Sequence, residues 1–224
     1  MSSPRFPEPP PSFPETPRER VDEYIDSLES KKDNWVKISI PQRIELLEEC
    51  AEATVRVGER WVEAACRAKG LEKNSVFSGE EWLGGPMATA RNIRLLIDAL
   101  KAGGQPKPPK IEKHPNGQQI AQVYPADVID RIILTGFTAE VWIEPGEVAS
   151  QGKIYREKIN GSATGEGKVS LVLGAGNVAS IGPMDCLYKL FVEDEVCILK
   201  TNPVNAYLGP FIEEAFAALI REEV

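Results

Sequence analysis

The sequence predicts an α/β protein whose helical N-terminal region leads through a short β-rich segment into a closing β-α-β-α unit. Three observations carry this reading. Apolar residues recur every three or four positions through the first hundred residues, which is the period of a packed helix. From about residue 120 the apolar runs shorten and are bounded by Gly and Pro, which is the punctuation of strands. Finally, two continuous apolar runs, Val169–Leu173 and Val196–Leu199, flank a helical stretch, as expected of parallel strands joined by a crossover.

In chain order, residues 1–19 read as an extended, solvated arm, since seven prolines fall between Met1 and Pro17 with little else to bury. Val21, Tyr24, Ile25 and Leu28 then form one helical stripe, expected to break at Lys31–Asn34. A second helix opens at Ser39-Ile-Pro-Gln42. Ser39 can cap the free amides, Gln42 can reciprocate, and Pro41 suits a first turn. Its expected buried face is Ile44, Leu47, Ala51, Val55, Val62 and Ala65, and Gly70 supplies its left-handed stop. Ser78 and Glu81 suggest another capping box, Gly84-Gly85-Pro86 an interruption, and Met87–Leu100 a further helix ended by Gly103-Gly104. This helical part is expected to span residues 20–118, closing with a proline-rich connector at Gln105–Gly117.

Residues 119–160 are expected to be β-rich, with strands at Ile120–Tyr124, Ala139–Ile143 and Lys153–Ile159 and a short helix at Ala126–Leu134. Residues 161–224 form the β-α-β-α unit. Its first strand is expected to be buried on both faces, its helices to cover about Met184–Phe191 and Asn205–Glu222, and Leu208, Phe211, Ile212, Ala215, Phe216, Leu219 and Ile220 to pack on the sheet. Only two parallel strands precede Val224, so the chain is expected to be the first part of a longer sheet.

Composition narrows the function. In 224 residues, 26 Lys and Arg stand against 34 Asp and Glu, a net charge of −8 that offers no basic excess for a phosphate backbone, so nucleic acid is not an expected partner. No apolar stretch approaches the roughly 20 residues of a membrane span, and the proline-rich start lacks a signal-peptide core, so a cytoplasmic protein is expected. Cys50, Cys66, Cys186 and Cys197 form no CxxC pair and cannot complete a zinc site with the single histidine, His114, so no metal is implied. The thiols read as small buried hydrophobes. Trp142 and Tyr155 read as packing residues, Glu193-Asp-Glu195 as solvated surface, and His114 as exposed.

Chemistry concentrates after the first parallel strand. Gly174-Ala-Gly-Asn-Val-Ala179 satisfies G-x-G-x-x-A, and glycines there let backbone amides approach a ligand at the carboxyl edge of the sheet. An acidic residue would be expected to end the second strand and hold a ribose, but that position is Lys200. A different pattern fits more residues. The segment Leu171–Ala206, LVLGAGNVASIGPMDCLYKLFVEDEVCILKTNPVNA, resembles the stretch of the NAD(P)-dependent aldehyde dehydrogenase superfamily in which a strand leads into P-W-N-F-P, then a helix, then V-L-K-P-S-E. Without a gap, Asn177 falls on the motif's asparagine and Lys200 on its lysine. Trp35, the Gln42-Arg43 helix start and the long helices are similar to the family's N-terminal region, so the resemblance runs over roughly residues 35–224.

The resemblance implies a partial Rossmann-like parallel sheet and oxidation of an aldehyde, or the reverse reaction from an activated acid, with NAD or NADP as cofactor. Asn177 would be half of an oxyanion hole, a contribution of a few kcal/mol, about 3. Leu173, Gly174, Ala175 and Gly176 would line the dinucleotide, Lys200 would hold the adenosine ribose or its 2′-phosphate, and Asn202 would sit beside it. Residues 119–160 would be the family's bridging hairpin, implying a homo-oligomer in the complete protein.

Three positions depart from the motif. Gly176 replaces its tryptophan, Val178 its phenylalanine, and Pro203 stands where a ribose-binding glutamate would be, which removes a repulsion toward a 2′-phosphate and leans the expectation toward NADP tolerance. The A-G-N-V form is also similar to the acyl-group reductases of bioluminescent bacteria, an alternative acting on an acyl substrate. Both enzymes need a nucleophilic cysteine, expected beyond Val224 after a glycine-rich loop. A third alternative is a non-catalytic remnant that binds a cofactor or partner.

Overall fold

Helix formation begins where the prolines stop. A computed structural model describes residues 14–72 and 74–224. Most of the proline-rich arm therefore lies outside the described residues, and Pro17 already serves as N-cap of α1, Arg18–Lys37. The expected break at Lys31–Asn34 does not occur. Leu28, Trp35 and Val36 are buried on one side of this helix, so packing of its last turn carries it through the polar KKDN stretch.

α2, Ile40–Lys69, is framed as expected. The Ser39 and Gln42 capping box forms with Pro in the first turn, and Gly70 closes the helix with φ 66°. Of its expected face, Leu47, Val62 and Ala65 are buried and Ile44 and Ala51 pack against the core, whereas Val55 is 72% exposed; Cys50, Thr54, Val57 and Trp61 are sealed as well. α3, Ser78–Trp82, lacks the predicted capping box because both side chains are used elsewhere: Ser78 Oγ donates to Ser75 O at 2.7 Å, and Glu81 takes the Lys69 ammonium at 2.6 Å. The Gly-Gly-Pro interruption is a wide turn over Leu83–Met87 with Gly85 at φ −122°, ψ −111°. A Cβ on Gly85 would lie 3.0 Å from Trp61 Nε1, so glycine lets the indole pack against this kink. α4, Ala88–Lys101, follows and lies along α2.

The middle segment differs more. β1, Lys110–Lys113, arises inside what reads as a connector; it pairs antiparallel with β2, Gln119–Tyr124, which pairs in turn with β3, Ala139–Trp142. The short helix α5, Val128–Ile133, is capped by Asp127, which accepts from Asp130 N at 2.8 Å. Arg91 and Arg94 of α4 hold this cap, with Arg91 Nη2 2.8 Å from Asp130 Oδ1 and Arg94 Nη1 2.7 Å from Asp127 Oδ2.

Lys153–Ile159 is helix α6, not a strand. Tyr155 decides it: its ring is buried against Gly104, whose Cβ would meet it at 2.1 Å, and its hydroxyl donates to Phe191 O at 2.7 Å. A single deep anchor with charged neighbours suits one helical turn on a core better than alternation.

β4, Lys168–Leu173, and β5, Glu195–Lys200, pair in parallel, connected by α7, Ile181–Val192. The chain is thus mixed α/β, with a three-stranded antiparallel sheet and this parallel pair. β4 is not buried on both faces: Val172 packs inward, while Leu171 and Leu173 are 63% and 66% exposed. α7 starts earlier than expected, because Pro183 falls in its first turn, where no amide is required. The final helical region is segmented into a 3₁₀ stretch, Pro203–Leu208, then α8, Gly209–Ala215, and α9, Ala217–Arg221. Ala218, outside the predicted stripe, is buried there while Ile220 is 53% exposed.

One core joins α1, α2, α4, α6, α7, both parallel strands and α8–α9. Charges run through it. Arg43, fully buried, donates to Trp35 O at 2.8 Å, Leu190 O at 3.2 Å and Asp194 Oδ1 at 2.5 Å. Lys158 reaches the other oxygen of Asp194 at 2.6 Å. Asp194, at φ 60°, is therefore a buried anchor between α7 and β5 and corrects the reading of the acidic turn as solvated surface. Among the described residues no helix is long and apolar enough to cross a membrane.

Candidate functional site

Leu173 lies opposite Lys200 in the parallel register, so β4 and β5 open at the same carboxyl edge. Gly174 N donates to Lys200 O at 2.9 Å, extending the ladder by one bond. The chain then runs free over Ala175–Ala179 before Ser180 N ties down on Gly84 O at 3.0 Å and α7 begins. The amides of Ala175 through Ala179 donate to no acceptor among the described residues. Five consecutive uncommitted N–H groups in front of a helix N-terminus form a region of positive potential.

Small residues are what let this loop sit where it does. A Cβ on Gly174 would lie 3.3 Å from Lys200 O and 3.4 Å from Asn202 N, and one on Gly176 would be 3.1 Å from the Asn202 amide and from Val204. A Cβ on Gly182 would meet Leu199 at 3.3 Å and Gly174 Cα at 3.5 Å, so the first turn of α7 presses directly on the strand ends.

Of the predicted residues, Gly174, Ala175, Gly176, Lys200 and Asn202 come together at this edge, and Asn177 stands at its rim. Among the described residues, Lys200 is exposed with no ion pair, and Asn177 is exposed with no hydrogen-bond partner for its side-chain amide. Asn202 is already used: its Oδ1 accepts from Val204 N at 3.1 Å and starts the 3₁₀ stretch. The Leu173 side chain points to an exposed face, which leaves its backbone to line the edge. The enclosed space between the strand ends is only about 10 Å³, so the site is an open surface rather than a cleft.

Two contributors went unpredicted. Asn205 Nδ2 donates to Ala175 O at 2.9 Å and ties the start of the loop to the 3₁₀ stretch, and Gly84 supplies the carbonyl that anchors the loop's end. Gly84 is remote from the motif in sequence, and only spatial proximity identifies it. Sequence does offer a hint for Asn205, an asparagine just after N-P-V, where side-chain to backbone bonds are common.

Burial pushes Cys50 up to about 12 and raises Cys66, while contact with the Cys197 thiol, then burial, raises Cys186. No cluster of His, Cys, Asp and Glu able to hold a metal occurs among the described residues. In comparisons with known proteins, no family model and no curated protein matches the chain.

Proposed function

We propose that the edge formed by Gly174–Ala179 and Lys200 binds the pyrophosphate and ribose side of a nicotinamide dinucleotide, NAD or NADP, in a Rossmann-like unit of an aldehyde dehydrogenase-like oxidoreductase. The carrying observation is the run of amides at 175–179 that donate to no acceptor among the described residues, at the strand edge that also carries Lys200, which has no ion pair among them. Backbone donors suit a phosphate, and a lysine supplies the compact charge that a ribose 2′-phosphate or a second phosphate oxygen needs. The residues fit the group in kind: donors and a cation at the strand ends, with glycines admitting close approach. The bound dinucleotide would supply hydride transfer to or from an aldehyde or acyl carbon. Asn177 would then donate to oxygen as charge develops there, and Asn205 would hold the loop that carries it.

Calorimetric titration of the purified chain with NAD⁺ and NADP⁺ tests this. Saturable binding that raises the melting temperature and is lost in Lys200→Ala is expected. The absence of binding in a chain that melts cooperatively would sink the reading. Since Pro203 leaves no carboxylate beside Lys200, NADP⁺ is expected to bind at least as well as NAD⁺, and strict NAD⁺ preference would overturn that part.

A second reading, cofactor binding without chemistry by this chain, is favoured by the raised thiols. Native-state alkylation at neutral pH that leaves Cys50, Cys66 and Cys186 unmodified supports it, whereas rapid labelling of Cys186 with NAD(P)H production from an aldehyde would refute it. Self-association through residues 119–160 belongs to the same proposal. Ile132, Phe137 and Trp142 expose apolar surface there, and a concentration-dependent dimer in sedimentation is its expected sign.

A further inference from the structure

Two of the four cysteines meet at the joint between α7 and β5. Cys186 lies mid-helix and is buried; Cys197, eleven residues on, lies in the strand and is half-buried. The Cys197 Sγ–H donates to Cys186 O at 4.0 Å, so that side chain is aimed at residue 186, and the two thiols are in contact. Cys50 and Cys66 are placed differently. Both lie on α2, about 24 Å apart along the axis at 1.5 Å per residue, so they cannot meet each other. Packing alone would be served by any small apolar residue at 186 and 197. A pair of touching thiols adds a bond that can be made and broken.

We propose that Cys186 and Cys197 form a reversible disulfide when the chain meets a small peroxide, cross-linking α7 to β5. The more accessible sulfur, that of Cys197, attacks a peroxide oxygen; the O–O bond breaks, the sulfur becomes a sulfenic acid, and the released hydroxide leaves as water with the thiol proton. The Cys186 sulfur then attacks the sulfenic sulfur. Its S–H proton departs with the sulfenic hydroxyl as a second water while the S–S bond closes. Hydrogen peroxide thus takes up two electrons and two protons, and the two thiols supply them. Contact with Cys197, then burial, raises the Cys186 thiol and suits it to this second step, in which its proton passes to the departing oxygen as the bond forms. Burial also selects the oxidant. A bulky disulfide would have to bring its own sulfur in line with a half-buried one, whereas hydrogen peroxide needs little more room than water.

The test treats the purified full chain at neutral pH with hydrogen peroxide, followed by mass spectrometry of the intact chain and of unreduced tryptic peptides. Cleavage after Lys189 and Lys200 places the two cysteines on separate peptides, 169–189 and 190–200. The expected result is loss of two hydrogen masses, linkage of those peptides and a melting temperature raised by about 4 °C, all reversed by dithiothreitol. Cys197→Ser keeps a donor toward Cys186 O and, with its fold checked by circular dichroism, is expected to show none of these changes. In Cys186→Ala the reaction is expected to stop at the sulfenic acid of Cys197, captured by dimedone. Peroxide that leaves both thiols free, oxidises Cys197 further without linkage, or joins two copies through it would overturn the proposal. So would a cross-link that uses Cys50 or Cys66, because contact between neighbouring thiols would then not govern the bond.

Discussion

The Arg43–Asp194 core and the β4–β5 edge use polar groups in opposite ways. In the core, Arg43 is fully buried with three acceptors, and Asp194 is held by both Arg43 and Lys158. At the edge, Lys200 and Asn177 are exposed and hold nothing among the described residues, and five loop amides donate to no acceptor there. Committed polar groups fix how α1, α2, α6, α7 and β5 meet; uncommitted ones remain available to a ligand. The comparison predicts that substitutions in the core change stability and those at the edge change binding.

The largest expected effect comes from Asp194→Ala, which leaves the buried guanidinium of Arg43 without its counter-charge. Breaking such a pair costs about 3–5 kcal/mol. Urea denaturation followed by circular dichroism measures it, and a loss below about 1 kcal/mol would mean that solvent reaches Arg43. Replacing both partners, Arg43→Met with Asp194→Asn, is expected to recover part of the loss.

Gly104→Ala comes next. Gly104 has φ 72°, and a Cβ there would lie 2.1 Å from the Tyr155 ring, so the substitution combines backbone strain with a clash. A loss of about 2–3 kcal/mol is expected from thermal or urea unfolding. A variant of unchanged stability would show that α6 can lift away from the core, weakening the contrast between a sealed interior and an open edge.

How much of this was legible depended on whether the signal was local. The Ser39–Gln42 box and Gly70 bound their helix because both signals act within one turn, and the two parallel strands follow from short apolar runs, one between glycines and one between charged residues. The Gly174–Gly176 loop was legible for the same reason. Lys153–Ile159 was misread as a strand because its helical character rests on one distant contact, Tyr155 against Gly104 and Phe191. Asp194 reads as a surface charge until its partners, 151 and 36 residues away in sequence, are brought beside it. The exposure of Leu171 and Leu173 is equally invisible in sequence, since an apolar run says nothing about which face is covered.

Asp127 lies between the two regimes, half exposed yet committed. The Asp130 N–H, then Arg94, holds its carboxyl below the usual carboxylate range. Because its folded pKa is depressed, its stabilisation is present above the unfolded value and is lost as pH falls through the folded one. The melting temperature is therefore expected to drop as pH falls below about 4. Asp127→Asn is expected to melt lower at neutral pH and to lose less of its melting temperature on acidification. Parallel pH profiles for the two proteins would show that the Asp127–Arg94 contact contributes nothing in solution.

Lys200→Ala is the smallest expected effect on stability and the sharpest on function. The side chain is exposed without an ion pair among the described residues, so its removal is expected to leave the melting temperature within about 2 °C in the absence of nucleotide. In the presence of NADP⁺ the wild-type chain gains stability by mass action, and the variant is expected to gain none. A variant that loses stability without nucleotide would move Lys200 to the structural side of the comparison. One that is stable and still shifted by NADP⁺ would leave the loop amides as the sole anchor for phosphate.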